Sequence, residues 1–438
     1  VAALRRTVPV VGLVVGLVVV GSAGCTGSGP TGPTTSAGLD GATVDVVGLW
    51  SGPEYDAFAT VASTWEDETG GVVDWHGSRD VAGDLATRLD DQDPPDVAVL
   101  PNPGLLHELA AQDALVPLDD VLDMDQVTQD YSPAWLDLGS DDGELYGLFS
   151  KVSSKATVWY APPVFSAAGY QVPATWDDLT TLADRMVTDG LTPFSLVAPQ
   201  GPGSGWALTD WVAQLVLGTC GPDLYDRWVA AEVPWTDPCV RSSFERFDGI
   251  VQTPGYVLGG TQGVLTTGDA DGVLPLYADP PTAAMYSMAS FAEGFITAAH
   301  PDLAAGDGYD FFAFPPVDPD HAGAVTVGGD VVVLMNDTPA ARSFLAYLVG
   351  ADAQEAWVEL GGFTSVNLGV PADAYDDPVS RAVAEQLTTA PVTRFGAGDL
   401  MPASVQRAWW DGMLALVEDP ATLDPLLDDL TATAASAR

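Results

Sequence analysis

Positive charge is scarce in this 438-residue chain. Lysine and arginine total 15 against 61 aspartates and glutamates, a formal net charge of −46. Only two of those cations are lysines, Lys151 and Lys155, and both fall in the short run SKVSSKATVWY at 150–160. A field of that sign repels nucleic acid and anionic substrates, which leaves neutral or cationic ligands. Solubility or salt tolerance accounts for most of the acidic surplus. Histidine is also scarce: His76, His107, His300 and His321 are scattered, and none stands near a cysteine at metal-ligand spacing, so no metal site is expected. There is no Gly-x-Ser-x-Gly elbow, since GPGSGW at 201–206 has the wrong order, and no phosphate loop or dinucleotide fingerprint follows a strand. No cofactor and no nucleophilic catalyst are expected. Carboxylates are too numerous for spacing alone to rule out a glycosidase pair.

The one long apolar run lies at the start. Arg5 and Arg6 precede VPVVGLVVGLVVVGSAG, which is short for a membrane span and carries a basic front, the pattern of a secretory signal. Small residues lead up to Cys25, and this junction resembles the lipobox of bacterial lipoproteins, although Ser22 stands where Leu is preferred. That resemblance implies a signal peptide over 1–24 and a lipid on Cys25, which would tie the protein to the outer face of the membrane. A plain secretory peptide and a single spanning anchor are the alternatives, and all three place the body outside the cytoplasm. Residues 25–40, rich in Gly, Ser, Thr and Pro, form a flexible tether. Cysteine is rare, and setting Cys25 aside leaves Cys220 and Cys239 as an even pair in an oxidising compartment. A disulfide there would contribute about 3 kcal/mol; the other reading is two buried thiols.

Periodicity sets out the body. VDVVGLW (44–50), VVDW (72–75) and PDVAVL (95–100) read as strands. Between them, Tyr55, Phe58, Val61, Ala62 and Trp65 recur at helical spacing before a stop at Gly70, and RDVAGDLATRLDDQ reads as a second helix. Strand–helix–strand–helix–strand is the pattern of a parallel sheet with flanking helices. Ligands in such sheets sit beyond the carboxyl ends of the strands, here the loops 50–54, 76–80 and 101–104. Further on, Thr175 with Asp178 forms a capping box, 328–350 predicts strand, turn and helix with Pro339 at the helix start, and MPASVQRAWWDGMLALVED predicts a helix.

Aromatic residues are plentiful: 13 Trp, 12 Tyr and 14 Phe. Sugar rings have apolar faces that indoles cover, and hydroxyl rims that Asp, Glu, Asn, Arg and Lys bind. Any single Trp is more often core, and Trp65, on a helix face, is assigned there.

DPPDVAVLPNPG, DGELYG, SKATVWYAPPVFSAAGYQVPATWDDL, the block 205–240, GYVLGG and DLMPASVQRAWW come in the order seen in extracellular solute-binding proteins (family 1) of carbohydrate ABC transporters, and the chain resembles their alpha-glucoside-binding branch from about residue 44 onward. The resemblance implies a two-lobed α/β fold like that of periplasmic binding proteins, each lobe discontinuous, with the ligand in the cleft between. Carried over, 41–154 and 316–370 make the first lobe and 155–315 and 371–438 the second. It implies a monomeric, non-catalytic receptor for a neutral oligosaccharide, an alpha-glucoside, that delivers its ligand to ABC permease subunits. Implied ligand-contacting residues are Trp50, Glu54, Arg79, Asp80, Asn102 (where Gln is usual), Lys155, Trp206, Asp210, Trp211, Asp330, Phe363, Asp399 and Trp410. For Lys155 a hinge-fixing salt bridge is the other reading. Thr282 stands where the branch often has Cys. A secreted carbohydrate-active enzyme, or the same fold holding a peptide or polyamine, are the competing functions.

Overall fold

The computed structural model describes residues 38–437 apart from residue 79 and residues 199–203. Cys25, the expected leader and Arg79 lie outside the described residues. The first strands form as their apolar patterns require. Thr43–Gly48 lies between Val72–Gly77 and Val97–Leu100, parallel to both. The helices Pro53–Thr69 and Val81–Asp90 make the crossovers. Val97–Leu100 is buried along its whole length, which is why it is apolar throughout. Pro53–Thr69 stops at Gly70, whose φ of 74° is the left-handed turn that glycine adopts without a Cβ penalty.

Among the described residues the strands form two large sheets and one two-stranded ladder, Ser140–Asp141 with Glu144–Leu145. The first runs Val392–Phe395, Ala324–Leu334, Val97–Leu100, Thr43–Gly48, Val72–Gly77, with Gly147–Ser154 also paired to the long Ala324–Leu334 strand. The second runs Asp310–Ala313, Thr157–Tyr160, Ala283–Ser287, Thr192–Ser195. The chain passes from the first sheet to the second through Lys155 and Ala156 alone, and returns between Asp310–Ala313 and Ala324–Leu334. The stretch 371–438, assigned by resemblance to the second lobe, adds a strand to the first sheet: Ala324–Val327 reaches beyond Val97–Leu100, which pairs only with Val331–Leu334, and Val392–Phe395 covers that edge in parallel. After it, Ala403–Glu418 packs on Trp206–Cys220 and Pro238–Gln252, beside the second sheet's helices.

Buried polar groups tie the crossing together. Ser290 N donates to Ser154 O at 2.8 Å while Ser154 N donates to the Ser290 hydroxyl at 3.1 Å. Phe314 N donates to Ala156 O at 2.8 Å. Gln214, on Trp206–Cys220, donates to Ala324 O at 2.9 Å and accepts from the Thr326 amide and hydroxyl at 2.8 and 2.9 Å. Each group is satisfied, so the contacts cost no stranded donor. Cys220 and Cys239 are joined at 2.08 Å, clipping the end of Trp206–Cys220 to the start of Pro238–Gln252.

Most tryptophans are structural. Ten of the thirteen are buried, leaving Trp75, Trp206 and Trp410 half-buried. Trp228, Trp235 and Trp409 meet edge to face at 4.8–5.4 Å between centroids, and Trp50 sits among Phe58, Trp75 and Trp357. Such pairs add about 0.5–1.5 kcal/mol each beyond their buried area. No described helix is long and apolar enough to cross a membrane.

Candidate functional site

Burial alternates at the end of Gly147–Ser154: Val152, Ser154 and Ala156 are buried, while Lys151, Ser153 and Lys155 are partly open. Across the ladder Ser153 faces Gly328 and Lys151 faces Asp330. Antiparallel partners point to the same side, so these four share one face of the sheet. A Cβ on Gly328 would meet Lys155 Cε at 2.8 Å, so the Lys155 chain lies over Gly328 on that face. Four residues of strand separate the two lysines, about 13 Å.

At one end, Lys155 Nζ donates to Asp210 Oδ1 at 2.9 Å and to Asp399 Oδ2 at 2.7 Å, and Asp399 Oδ1 accepts from Gln406 at 3.3 Å. The lysine side chain is 12% exposed. Burial works against its charge, but Asp210 and Asp399 outweigh that and hold Lys155 above the usual lysine range. Burial pushes Asp210 up to about 6, with Lys155 pulling the other way and Asp399 adding to the rise. Trp206 lies one helical turn before Asp210 and so shares its face. Gly205 abuts the Trp410 backbone, where a Cβ would stand 2.2 Å from the Trp410 carbonyl oxygen. The Trp410 backbone therefore lies beside the start of the helix that carries Trp206 and Asp210, and the half-buried Trp206 ring tilts on Phe291 at 6.0 Å. A cavity of ≈ 10 Å³, the room of one water, lies among Lys155, Asp210, Trp211 and Met288.

At the other end, Lys151 pairs with the Glu54 carboxylate. Asp330 Oδ2 accepts from Trp50 Nε1 at 2.7 Å. Burial pushes Asp330 up to about 6, against the pull of Lys151 and of the Trp50 hydrogen bond. Trp50 stacks on Trp75 at 5.5 Å and 4°. Tyr55, 37% exposed, lies 6.0 Å from Trp75. The face thus carries ammonium donors, carboxylate acceptors and half-buried rings at both ends, with two lysines against four carboxylates. That set suits hydroxyl rims and the apolar faces of sugar rings.

The structure brings together Trp50, Glu54 and Asp330 at one end, and Lys155, Trp206, Asp210, Asp399 and Trp410 at the other. Other expected contacts are placed differently. Trp211 is 3% exposed and packs on Phe194, Phe247 and Phe314, because its helix is apolar almost all round. Phe363, 4% exposed, stacks on Trp357 at 4.4 Å. Trp50 is itself 1% exposed and reaches the site through Asp330. Asp80 and Asn102 cap helices, accepting from Gly83 N at 3.1 Å and Leu105 N at 2.9 Å. Tyr55, whose helical spacing with Phe58 reads as core, is not among the expected contacts; nor are Trp75 and Lys151, although the aromatic content and the lysine pair draw attention to both.

The model for bacterial extracellular solute-binding proteins matches residues 50–355. The chain belongs to that family. This solute-binding protein is 34% identical over 384 residues to the osmoprotective compounds-binding protein GgtB of Synechocystis sp., covering 87% of this chain and 90% of the relative. It is 32% identical over 399 residues to the alpha-glucosides-binding periplasmic protein AglE of Rhizobium meliloti, covering 88% and 86%. Among solved structures, a chitin oligosaccharide binding protein superposes with a TM-score of 0.78 at 20% identity, covering 91% of this chain and 99% of the other. These likenesses make it a solute-binding protein of ABC transporters with the two-domain fold of its family.

Proposed function

We propose that this solute-binding protein captures a neutral oligosaccharide, an alpha-glucoside, without transforming it, and delivers it to the permease subunits of an ABC importer. The similarity along nearly the whole chain to the alpha-glucosides-binding protein of Rhizobium meliloti carries this reading. The lysine–carboxylate face with Trp206 and Trp410 at one end and Tyr55 and Trp75 at the other supports it. Ligand would close the two lobes, 41–154 with 316–370 and the strand Val392–Phe395 against 155–315 with the rest of 371–438, about the Lys155–Ala156 crossing, since binding favours the closed state in hinged receptors. Glu54, Asp80, Asn102, Lys155, Asp210, Asp330 and Asp399, with Arg79, would supply the polar contacts, and Trp50, Trp211 and Phe363 would back the walls. A lipid on Cys25 would hold the monomer at the outer face of the cell membrane.

Titrating the purified protein with maltose, trehalose and sucrose, by calorimetry and thermal shift, tests the reading. Sugar at a hundredfold over its dissociation constant adds about 2.7 kcal/mol to the folded state, and Trp206→Ala and Trp410→Ala weaken binding. Release of glucose from the sugars would show an enzyme instead. The Synechocystis relative favours a second reading, an osmoprotective compound; stabilisation by glycine betaine but by none of the sugars would select it.

A further inference from the structure

Ser153 lies midway between the two lysines, on the open side of its strand. It is half-buried, it stands opposite Gly328 in the ladder, and its hydroxyl has no hydrogen-bond partner among the described residues. Its neighbours on that face are committed: Lys155 to Asp210 and Asp399, Lys151 to Glu54, Asp330 to Trp50. Gly328 has no side chain, and the Lys155 chain lies over it, so the serine stands beside the aliphatic stem of that lysine. A half-buried hydroxyl set between two ion clusters, with no partner among the described residues, is a place where one polar group of a ligand is still unmatched.

We infer that Ser153 is a ligand-binding residue of the solute site: set between the two ion clusters, its hydroxyl pairs with a ligand hydroxyl. The inference rests on the sugar reading above and names a contact within it. A hydroxyl can both donate and accept, so it matches a neutral polyol. Among the described residues, the two lysines of this face are already met by four carboxylates, which disfavours a uronate or sugar phosphate beside them.

The test is calorimetry on the full protein with the tightest-binding sugar of the panel and its monodeoxy analogues. Wild type should lose affinity for one deoxy analogue in particular. Ser153→Ala should bind the parent sugar about two- to tenfold more weakly, the size of one neutral hydrogen bond, and should no longer distinguish that analogue. Ser153→Leu should abolish binding by setting a bulky apolar side chain where the hydroxyl stands, while the unliganded melting temperature of both variants stays within a degree or so of wild type. Wild-type affinity and analogue discrimination retained in Ser153→Ala and Ser153→Leu would overturn the inference and leave the sugar reading standing. Failure of wild type to bind any sugar would overturn the sugar reading, and the inference with it.

Discussion

Lys155 holds two carboxylates that have no other cation among the described residues. Removing it strands Asp210 and Asp399 beside each other, and taking one partner from a buried ion pair typically costs about 3–5 kcal/mol. Lys155→Met should therefore lose about that much stability in urea unfolding, and Asp210→Asn added to it should restore a part. An unchanged midpoint in Lys155→Met would mean the cluster is solvated and idle. Glu293 is a further partly buried acid. It accepts from Tyr309 at 3.0 Å and Ser380 at 2.9 Å, and burial, reinforced by Asp377, pushes it up to about 7. A carboxyl whose folded value lies above its unfolded value stabilises the protein at low pH, and that contribution is lost as pH rises through the folded value. Asp210 and Asp330, both pushed up to about 6, act with the same sign. The melting temperature should fall between about pH 4 and pH 7. Glu293→Gln should make the fall shallower above pH 6, and identical slopes would remove Glu293 from the account.

At the scale of elements, the disulfide makes one rigid piece of three helices. It joins residues 19 apart in sequence around Pro222–Val229, and closing a loop of that length stabilises by about 3 kcal/mol in the chain-entropy model. Cys220→Ser with Cys239→Ser should lower stability by about that amount in denaturant titration, while the sugar affinity stays as it was, because the bridge sits at the far end of the helix from Trp206. A loss of affinity instead would mean that the clip positions the indole. The elements themselves were largely legible. The first three strands, the Thr175 cap and the Pro339 helix start follow from short-range chemistry: Thr175 accepts from Asp178 N at 3.1 Å, and Pro339 occupies the first helical position. Val392–Phe395 was not legible as part of the first sheet, because its partner lies 68 positions earlier in the chain and nothing local records an unfilled edge (Ala324↔Val392).

For the whole molecule, the family and its two-sheet body could be read from the order of motifs, while the inventory of site residues could be read only in part. Charge was the better guide. Lys155, Asp210, Asp399 and Asp330 are costly to bury and so had to find partners, whereas an indole satisfies either a core or a ligand. Trp409 and Trp410 show the difficulty: adjacent and identical in kind, one is fully buried among Trp228 and Trp235 and the other is half-open, a distinction made by helix phase and distant neighbours. The lysine pair has a practical corollary. Both side chains are 12% exposed and engaged with acids. Amine-reactive dyes and amine-coupled surfaces would therefore find almost nothing to attack on the folded body, and any acylation that does occur at a side chain reports on the loosening of the strand that joins the two sheets.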